Sequence, residues 1–390
     1  RTSNFTRPGP AESSMGSQQS QLKLTAPGLK CIAAHKHVGG AYTPLDNALN
    51  PYWHLLASKL PTWLAPNLIT CAGTLPLAIV YALHWFYCPS LSEPPPRWLY
   101  FAGALALLVY QTLDALDGKQ ARRIGASSPL GQLMDHGCDC LCNLSHHSQV
   151  MAVLLPGPSV LPQLMMATLM GCFFLCQWEE YLTGVLHTST GSYGVTELQY
   201  LVIAMLVVAG MAGGDSVAAF MSTDIYSDVK ANQLIFVKYI VLWALICLAI
   251  FTRTYQTVIK TGQMMTAATM LLPDFLLMLL TMSWSSVAVQ DCHRLLLYGS
   301  GLHFAHTTCH VIVVTMAKQE FTVKQWGRQM SIFAVVVGLS HILTGMALQC
   351  ALVAFDLAAT ADFLWWTHKT VGQISSHLRI RVFSVRSIKP

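Results

Sequence analysis

The sequence predicts an all-α polytopic integral membrane protein, with about ten transmembrane helices behind an N-terminal interfacial amphipathic helix. Three observations predict it. Asp, Glu, Lys and Arg make up 11% of the 390 residues, against roughly 25% in an ordinary soluble protein, and the hydrophobic set reaches 53%. So few charges do not cover a soluble globule of this length. Apolar runs of bilayer-spanning length recur along the chain. The basic residues sort to one side of those runs: with a cytosolic N-terminus, all of the 23 Lys and Arg except Arg97, Lys230, Lys238 and Arg294 fall on the cytosolic face, as the positive-inside rule expects.

Residues 1–40 are polar in their first half, rich in Ser, Gln, Pro and Gly, and read as partly disordered. In 41–65, Leu45, Leu49, Trp53, Leu56 and Leu60 recur near helical spacing, with Pro51 interrupting the run. This stretch reads as a helix lying in the membrane interface; a helix packed on protein is the competing reading. Spans are placed near 66–88, 98–116, 131–155, 160–185, 198–217, 235–255, 264–288, 298–317, 331–354 and 356–375. The third and tenth are weak by hydropathy, because they carry Asp135, His136, Asp139, His146 and His147, and Asp356, Asp362, His368 and Lys369. The organisation is a catalytic helical region over 66–217, additional helices over 218–375 and a basic cytosolic tail over 376–390. The net charge of +5 is not arranged with stacking aromatics, which speaks against nucleic-acid binding. Twelve cysteines without a CxxC pair do not make a disulfide framework. No internal repeat is visible, which speaks against an inverted-repeat transporter.

Most of the chemistry lies in 114–139, DALDGKQARRIGASSPLGQLMDHGCD. Asp114 and Asp117 are three residues apart and Asp135 and Asp139 four apart, so each pair projects from one helical face. The intervening IGASSP is a turn that returns the second helix antiparallel to the first. Four carboxylates then converge at the cytosolic membrane edge, where they are costly without counter-charge. Hard divalent cations bind such oxygen sites and share them with phosphates. Gly118 and Ala121 let a phosphorylated ligand approach the helix backbone, Arg122 offers a bidentate fork to phosphate, and Gly131 keeps space one turn before Asp135. A buried ion-pair network of the aspartates with Lys119, Arg122 and Arg123 is the structural alternative.

The spacing DxxDGxxARx₈GxxxDxxxD resembles the signature of the CDP-alcohol phosphotransferase family. The wider match is similar to its eukaryotic choline/ethanolamine phosphotransferase branch, through LNPYW (49–53), APNLIT (65–70), DGKQARR, SSPLG, DHGCD (135–139) and VTELQ (195–199). It covers roughly residues 40–375. The resemblance implies transfer of a phosphoalcohol from CDP-choline or CDP-ethanolamine to the hydroxyl of diacylglycerol, drawn from membrane lipid, with release of CMP. It implies two Mg²⁺ or Mn²⁺ ions on Asp114, Asp117, Asp135 and Asp139, and the CDP-alcohol on Asp114, Gly118, Ala121, Arg122 and Gly131. It also implies a homodimer in the endoplasmic reticulum or Golgi membrane, with its active site facing the cytosol. His136 has a side chain suited to proton transfer near neutral pH, and the resemblance makes it the catalytic base with Glu197 as its orienting partner. Asp139 is the alternative base.

Weaker features stay open. Asn67 matches a family position near the nucleotide, or caps a helix. Glu179 and Glu180 near a span end read as structural or interfacial. Cys138, Cys140, Cys142 and His146 suggest zinc, but Cys140 points away from the other two thiols, which favours helix packing. Gln132, Met134 and Cys140 replace the branch's usual Glu, Phe and Ser and bear on donor preference. A quaternary ammonium would favour an aromatic cage, for which Tyr52, Trp53, Trp178 and Tyr181 are candidates. Rival functions are a family member using inositol or glycerol phosphate, against which the extra C-terminal helices argue, and a cation-coupled transporter.

Overall fold

The computed structural model describes residues 24–226 and 228–385, without the side chains of 323–325. Local signals set the helix boundaries. Helix α1 (Ala26–Ala34) starts at Thr25, whose hydroxyl accepts from Gly28 N at 3.1 Å. Helix α2 (Pro44–Lys59) opens on a reciprocal Thr43–Asp46 capping box with proline at its first position, so two orphan N–H groups are satisfied. It runs through Pro51 rather than breaking there. Its inner face seats Trp53 and Ala57 against Ile69 and Leu116, while Tyr52 and Leu55 face outward.

Helices α3 (Pro66–Tyr87), α4 (Arg97–Arg123), α5 (Pro129–Leu154), α6 (Val160–Thr183) and α7 (Val195–Ala212) follow the expected runs closely. Gly213, at φ +87°, ends the fifth run before its expected limit at 217, and a short α8 (Gly214–Met221) follows. Two small hairpins, β1 (Ser189–Thr190) with β2 (Tyr193–Gly194) and β3 (Asp224–Tyr226) with β4 (Val229–Lys230), sit in the connections. Then come α9 (Ala231–Thr261), α10 (Met264–Met282) and α11 (Ser286–Ala317), which kinks at Cys292. The last two are α12 (Val323–Ser340) and α13 (Gly345–Leu378).

Three boundaries correct the sequence reading, the first being the start of the eighth span, which falls at Ser286 and not 298. The seventh span ends at Met282, not 288. The final break falls at 341–344 rather than near 355, because Thr344 is extended and Gly345 takes a positive φ. Asp356, expected at the start of a span, lies inside α13, buried against Gly299 of α11. The N-terminal segment is also more ordered than its composition suggests from residue 24 on, since α1 packs on α11 and α13. Residues 1–23 and 386–390 lie outside the described residues.

Seven helices (α3, α4, α6, α7, α9, α10 and α13) are long and apolar enough to cross a bilayer. With hairpins as the only strands among the described residues, the chain is an all-α integral membrane protein. Outward-facing apolar side chains recur along α9 at Val237, Val241, Leu245 and Leu248, the pattern of a lipid-facing helix. Helix α11 is instead enclosed by α5, α6, α10, α12 and α13, and that enclosure lets it carry buried His303, His306 and His310. All twelve cysteines are free thiols.

Helix α3 packs on α4 and α5, and α4 on α7. At the end of the bundle away from 114–139, Arg294 of α11 is buried and donates to His84 O at 3.0 Å, Cys88 O at 2.5 Å and Ser148 Oγ at 3.0 Å. It satisfies carbonyls at the C-terminus of α3, where a cation is favoured. The tightest crossing lies between α11 and α5: a Cβ at Gly301 would sit 2.3 Å from Leu144 Cδ2 and 3.4 Å from Met166 Sδ. Gly301→Ala therefore overpacks a fully enclosed contact and is expected to destabilise the fold by about 1–3 kcal/mol. Thermal inactivation of the detergent-solubilised variant checks this.

Candidate active site

The acidic site forms where α4 ends and α5 begins. Residues 124–128 turn the chain through Gly125, at φ +67°, and Ser128 then caps α5 by accepting from Gly131 N at 3.1 Å. The two helices thus meet antiparallel with their aspartates facing. Carboxylate oxygens of Asp114, Asp135 and Asp139 all lie within 4.8 Å of one another. Asp114 is within hydrogen-bonding reach of both others. Asp117 is adjacent but differently held: its carboxylate accepts a short hydrogen bond from Thr70 of α3. Asp139 accepts a short hydrogen bond from Tyr110, one turn before Asp114 on α4.

No ion pair joins these aspartates to Lys or Arg among the described residues. Two of the three proposed counter-cations are engaged elsewhere. Arg123 donates to the carbonyls of Ala57 and Leu60 at the end of α2. The Lys119 ammonium lies 4.9 Å above the Trp53 ring. An ion-pair network of these aspartates with Lys119, Arg122 and Arg123 does not form among the described residues. Carboxylates this close repel one another unless a proton or cation sits between them. Asp135 Oδ1 is buried with no hydrogen-bond partner. An oxygen-only donor set, one orphaned acceptor and no Lys or Arg pair among the described residues together fit a hard divalent ion.

Arg122 is exposed on the next turn of α4, directly above Gly118. A Cβ at Gly118 would lie 3.4 Å from the Arg122 guanidinium, so a branched side chain there displaces the fork. Gly118→Val is expected to raise the KM for a phosphorylated donor about tenfold, the loss of one charge-assisted contact of about 1.4 kcal/mol. Ala121 lies a turn on from Asp117, half-buried. Gly131 faces Asn67, whose Oδ1 would be 3.8 Å from a Cβ at 131. Asn67 does not cap α3, since Ala65 occupies that position. It donates instead to Val382 O at 2.7 Å, and so draws the segment after α13 over the site.

His136 is buried, with Nε2 3.9 Å from Asp135 Oδ2 and Nδ1 without a hydrogen-bond partner. Its expected partner is elsewhere. Glu197 closes a cap at the N-terminus of α7, accepting from Gly194 N at 2.8 Å, and no described contact joins it to His136. Its placement follows from its position three residues after Gly194, where a glutamate side chain reaches back to the start of the helix. A second carboxylate beside His136, after Asp135, is Glu180 of α6. It accepts from Gln132 Nε2 at 3.1 Å and lies 3.7 Å from His37 Nδ1, and the His37 and His136 rings meet edge-on at 5.6 Å. His35 Nε2 is 2.9 Å from Gln132 Oε1, and burial holds the His35 imidazole below its usual pKa.

Sequence reasoning missed Thr70, Tyr110, His37 and the setting of Glu180. Thr70 and Tyr110 carried a signal, being one turn from Asn67 and Asp114 respectively. His37 carried none. The zinc alternative fails: Cys140 faces Cys309 of α11, whereas Cys138 and Cys142 face Thr74 of α3. The aromatic cage does not assemble either. Trp53 lies under Lys119, Trp178 donates to Ala267 O, Tyr181 reaches Gln319 O, and Tyr52 is exposed.

Comparison with known proteins decides the family. Residues 63–267 match the CDP-alcohol phosphatidyltransferase family. The chain belongs to that family. It is 31% identical over 362 residues to an uncharacterized CDP-alcohol phosphatidyltransferase class-I family protein 2 of Dictyostelium discoideum, covering 88% of this chain and 84% of that protein. It is 30% identical to choline/ethanolaminephosphotransferase 2 of Arabidopsis thaliana, covering 82% and 85%. With ethanolaminephosphotransferase 1 of Pongo abelii it shares 29% identity over 90% and 92%. The chain is therefore a transferase, and the matched residues contain the entire Asp114–Asp139 site.

Proposed function

We propose that this enzyme transfers phosphocholine or phosphoethanolamine from a CDP-alcohol to the hydroxyl of diacylglycerol, giving phosphatidylcholine or phosphatidylethanolamine and CMP. The observation that carries the reading is the three-carboxylate cluster, with which no Lys or Arg pairs among the described residues, beside an exposed Arg122 and a buried His136. Relatives named for choline and ethanolamine phosphotransfer match along most of the chain.

In this reading Asp114, Asp135 and Asp139, with Asp117 steadied by Thr70, hold one or two Mg²⁺ or Mn²⁺ ions. When bound, such ions offset the pyrophosphate charge and stabilise CMP as it leaves. The chain's own groups do the rest. Arg122 grips the donor phosphates, and Gly118 and Ala121 leave the helix surface open beneath them. Asn67 and Gly131 border the nucleotide. His136 takes the proton of the diacylglycerol hydroxyl. The freed oxygen bonds to the phosphorus bearing the alcohol, the bond from that phosphorus to the bridging oxygen breaks, and CMP departs with the bridging oxygen. The acceptor is a lipid, so it reaches the helical site directly from the bilayer.

The same reading places ten helices across the membrane, α3 to α7 and α9 to α13, and lays α2 in the interface with Tyr52 and Leu55 outward. The helices α3–α7 form the catalytic unit and α9–α13 an added C-terminal unit. Positive residues such as Arg122 and Arg123 orient the site towards the cytosol. A homodimer in the endoplasmic reticulum or Golgi membrane completes it. Purified protein given CDP-choline or CDP-ethanolamine, diacylglycerol and Mg²⁺ or Mn²⁺ is expected to release CMP. Chelation by EDTA is expected to abolish release and either ion to restore it. No release from either donor under these conditions would sink the proposal.

A further inference from the structure

Two neighbouring glutamates at the end of α6 meet different electrostatic fates. Glu179 is fully buried and carries a bidentate ion pair with Arg253 of α9, both contacts at 2.5 Å. His187 adds a third contact at 3.2 Å. Glu180 is 2% exposed, yet its partners are the neutral amide of Gln132 and, at 3.7 Å, the ring of His37. Among the described residues no Lys or Arg pairs with it. A buried carboxylate without a fixed cation costs several kcal/mol. Such a carboxylate is left free to take up a mobile cation.

The setting indicates which cation. Glu180 is linked to the acidic cluster through His37 and His136: His136 Nε2 faces Asp135, and the His136 ring meets His37, which lies 3.7 Å from Glu180. His136 Nδ1, buried and unpartnered, borders the same space. His37 is the exchangeable wall, since its side chain is 40% exposed and its contact to Glu180 exceeds hydrogen-bond length. In a CDP-amino alcohol the cationic nitrogen is four bonds of about 1.5 Å from the phosphorus being transferred. Phosphates at the aspartates thus bring that nitrogen to the His37–Glu180 side of His136.

We propose that Glu180, oriented by Gln132, binds the cationic nitrogen of the donor's alcohol and so selects amino-alcohol donors over uncharged ones. The proposal rests on the transfer reading above. It explains the lack of an aromatic cage, because a desolvated carboxylate supplies the attraction that aromatic faces would otherwise provide.

The test compares CDP-ethanolamine and CDP-choline with CDP-propanol, an uncharged donor of similar size, in full-length enzyme with diacylglycerol. Wild type is expected to show a kcat/KM at least tenfold higher for the charged donors. Glu180→Gln is expected to raise their KM at least tenfold, while the KM for CDP-propanol and inhibition by CMP stay within twofold. Glu180→Asp, which keeps the charge, is expected to retain most of the preference. Equal losses for charged and uncharged donors, or an unchanged KM for the charged ones, would overturn the role of Glu180. So would a wild type that uses CDP-propanol as well as CDP-ethanolamine, whatever the stability of the variants. That last result leaves the transfer reading standing. Absence of CMP release from every donor overturns both.

Discussion

Asp114→Asn is expected to lower CMP release by at least about 10³-fold, a loss near 4 kcal/mol of transition-state stabilisation at 1.36 kcal/mol per decade. Asp114 is the hub of the site, in reach of both Asp135 and Asp139 and within the oxygen cluster that spans 4.8 Å. The amide keeps the shape and removes one negative charge from a place where three compete. The same change should therefore leave the metal-free protein at least as heat-stable as wild type, because mutual repulsion falls. This pairing of outcomes separates the readings. A carboxylate retained for an ion pair loses stability when neutralised, while one retained for a cation loses only activity. Initial rates of CMP release together with thermal inactivation in EDTA give both numbers. A variant that melts lower and still turns over would place Asp114 in the scaffold.

How much of this arrangement could be read in advance depends on how far apart its members lie in the chain. The aspartates, Gly118 and Arg122 occupy a helix, a turn and a helix, and helical periodicity alone brings them to facing surfaces. The antiparallel return was likewise legible in IGASSP, which the fold realises with Gly125 at positive φ and Ser128 as the cap. What supports the aspartates was not legible. Thr70 reaches Asp117 across 47 residues, and Gln132 reaches Glu180 across 48, so each depends on which helices become neighbours. Glu197 shows the opposite failure. Its local option, a cap three residues back, engages one carboxylate oxygen and holds it at the start of its own helix. The misplaced break near 355 has a similar cause. Asp356 is a poor span residue by hydropathy, yet α11 offers Gly299 opposite it, and the missing side chain makes room for the carboxylate. Hydropathy scores a residue against lipid, whereas the residues of α11 and the inner face of α13 meet protein. For that reason α5 and α11, long helices that are not among the seven apolar enough to cross a bilayer, are largely enclosed by others.

His136→Ala carries the second large effect, an expected fall of about 10²–10⁴ in kcat with the donor KM and CMP inhibition changed less than about threefold. Two groups compete for the role of base, and their surroundings distinguish them. Asp139 already accepts a short hydrogen bond from Tyr110 and shares the cluster with Asp114; with metal bound, its remaining lone pairs are directed at cations. His136 has an unpartnered Nδ1, and its Nε2 is directed towards Asp135 at 3.9 Å. It can accept a proton without giving up a contact that holds the site together. Loss of the imidazole should therefore leave donor binding, which the proposed mechanism assigns to the aspartates and Arg122, in place while removing the proton acceptor. Added imidazole is expected to restore part of the turnover of His136→Ala, and not that of Asp114→Asn, because a diffusible base can replace a missing base but not a missing metal ligand. Near-normal turnover in His136→Ala without imidazole would move the role to Asp139, and Tyr110→Phe, which frees one Asp139 oxygen, would then be expected to raise the rate instead of lowering it.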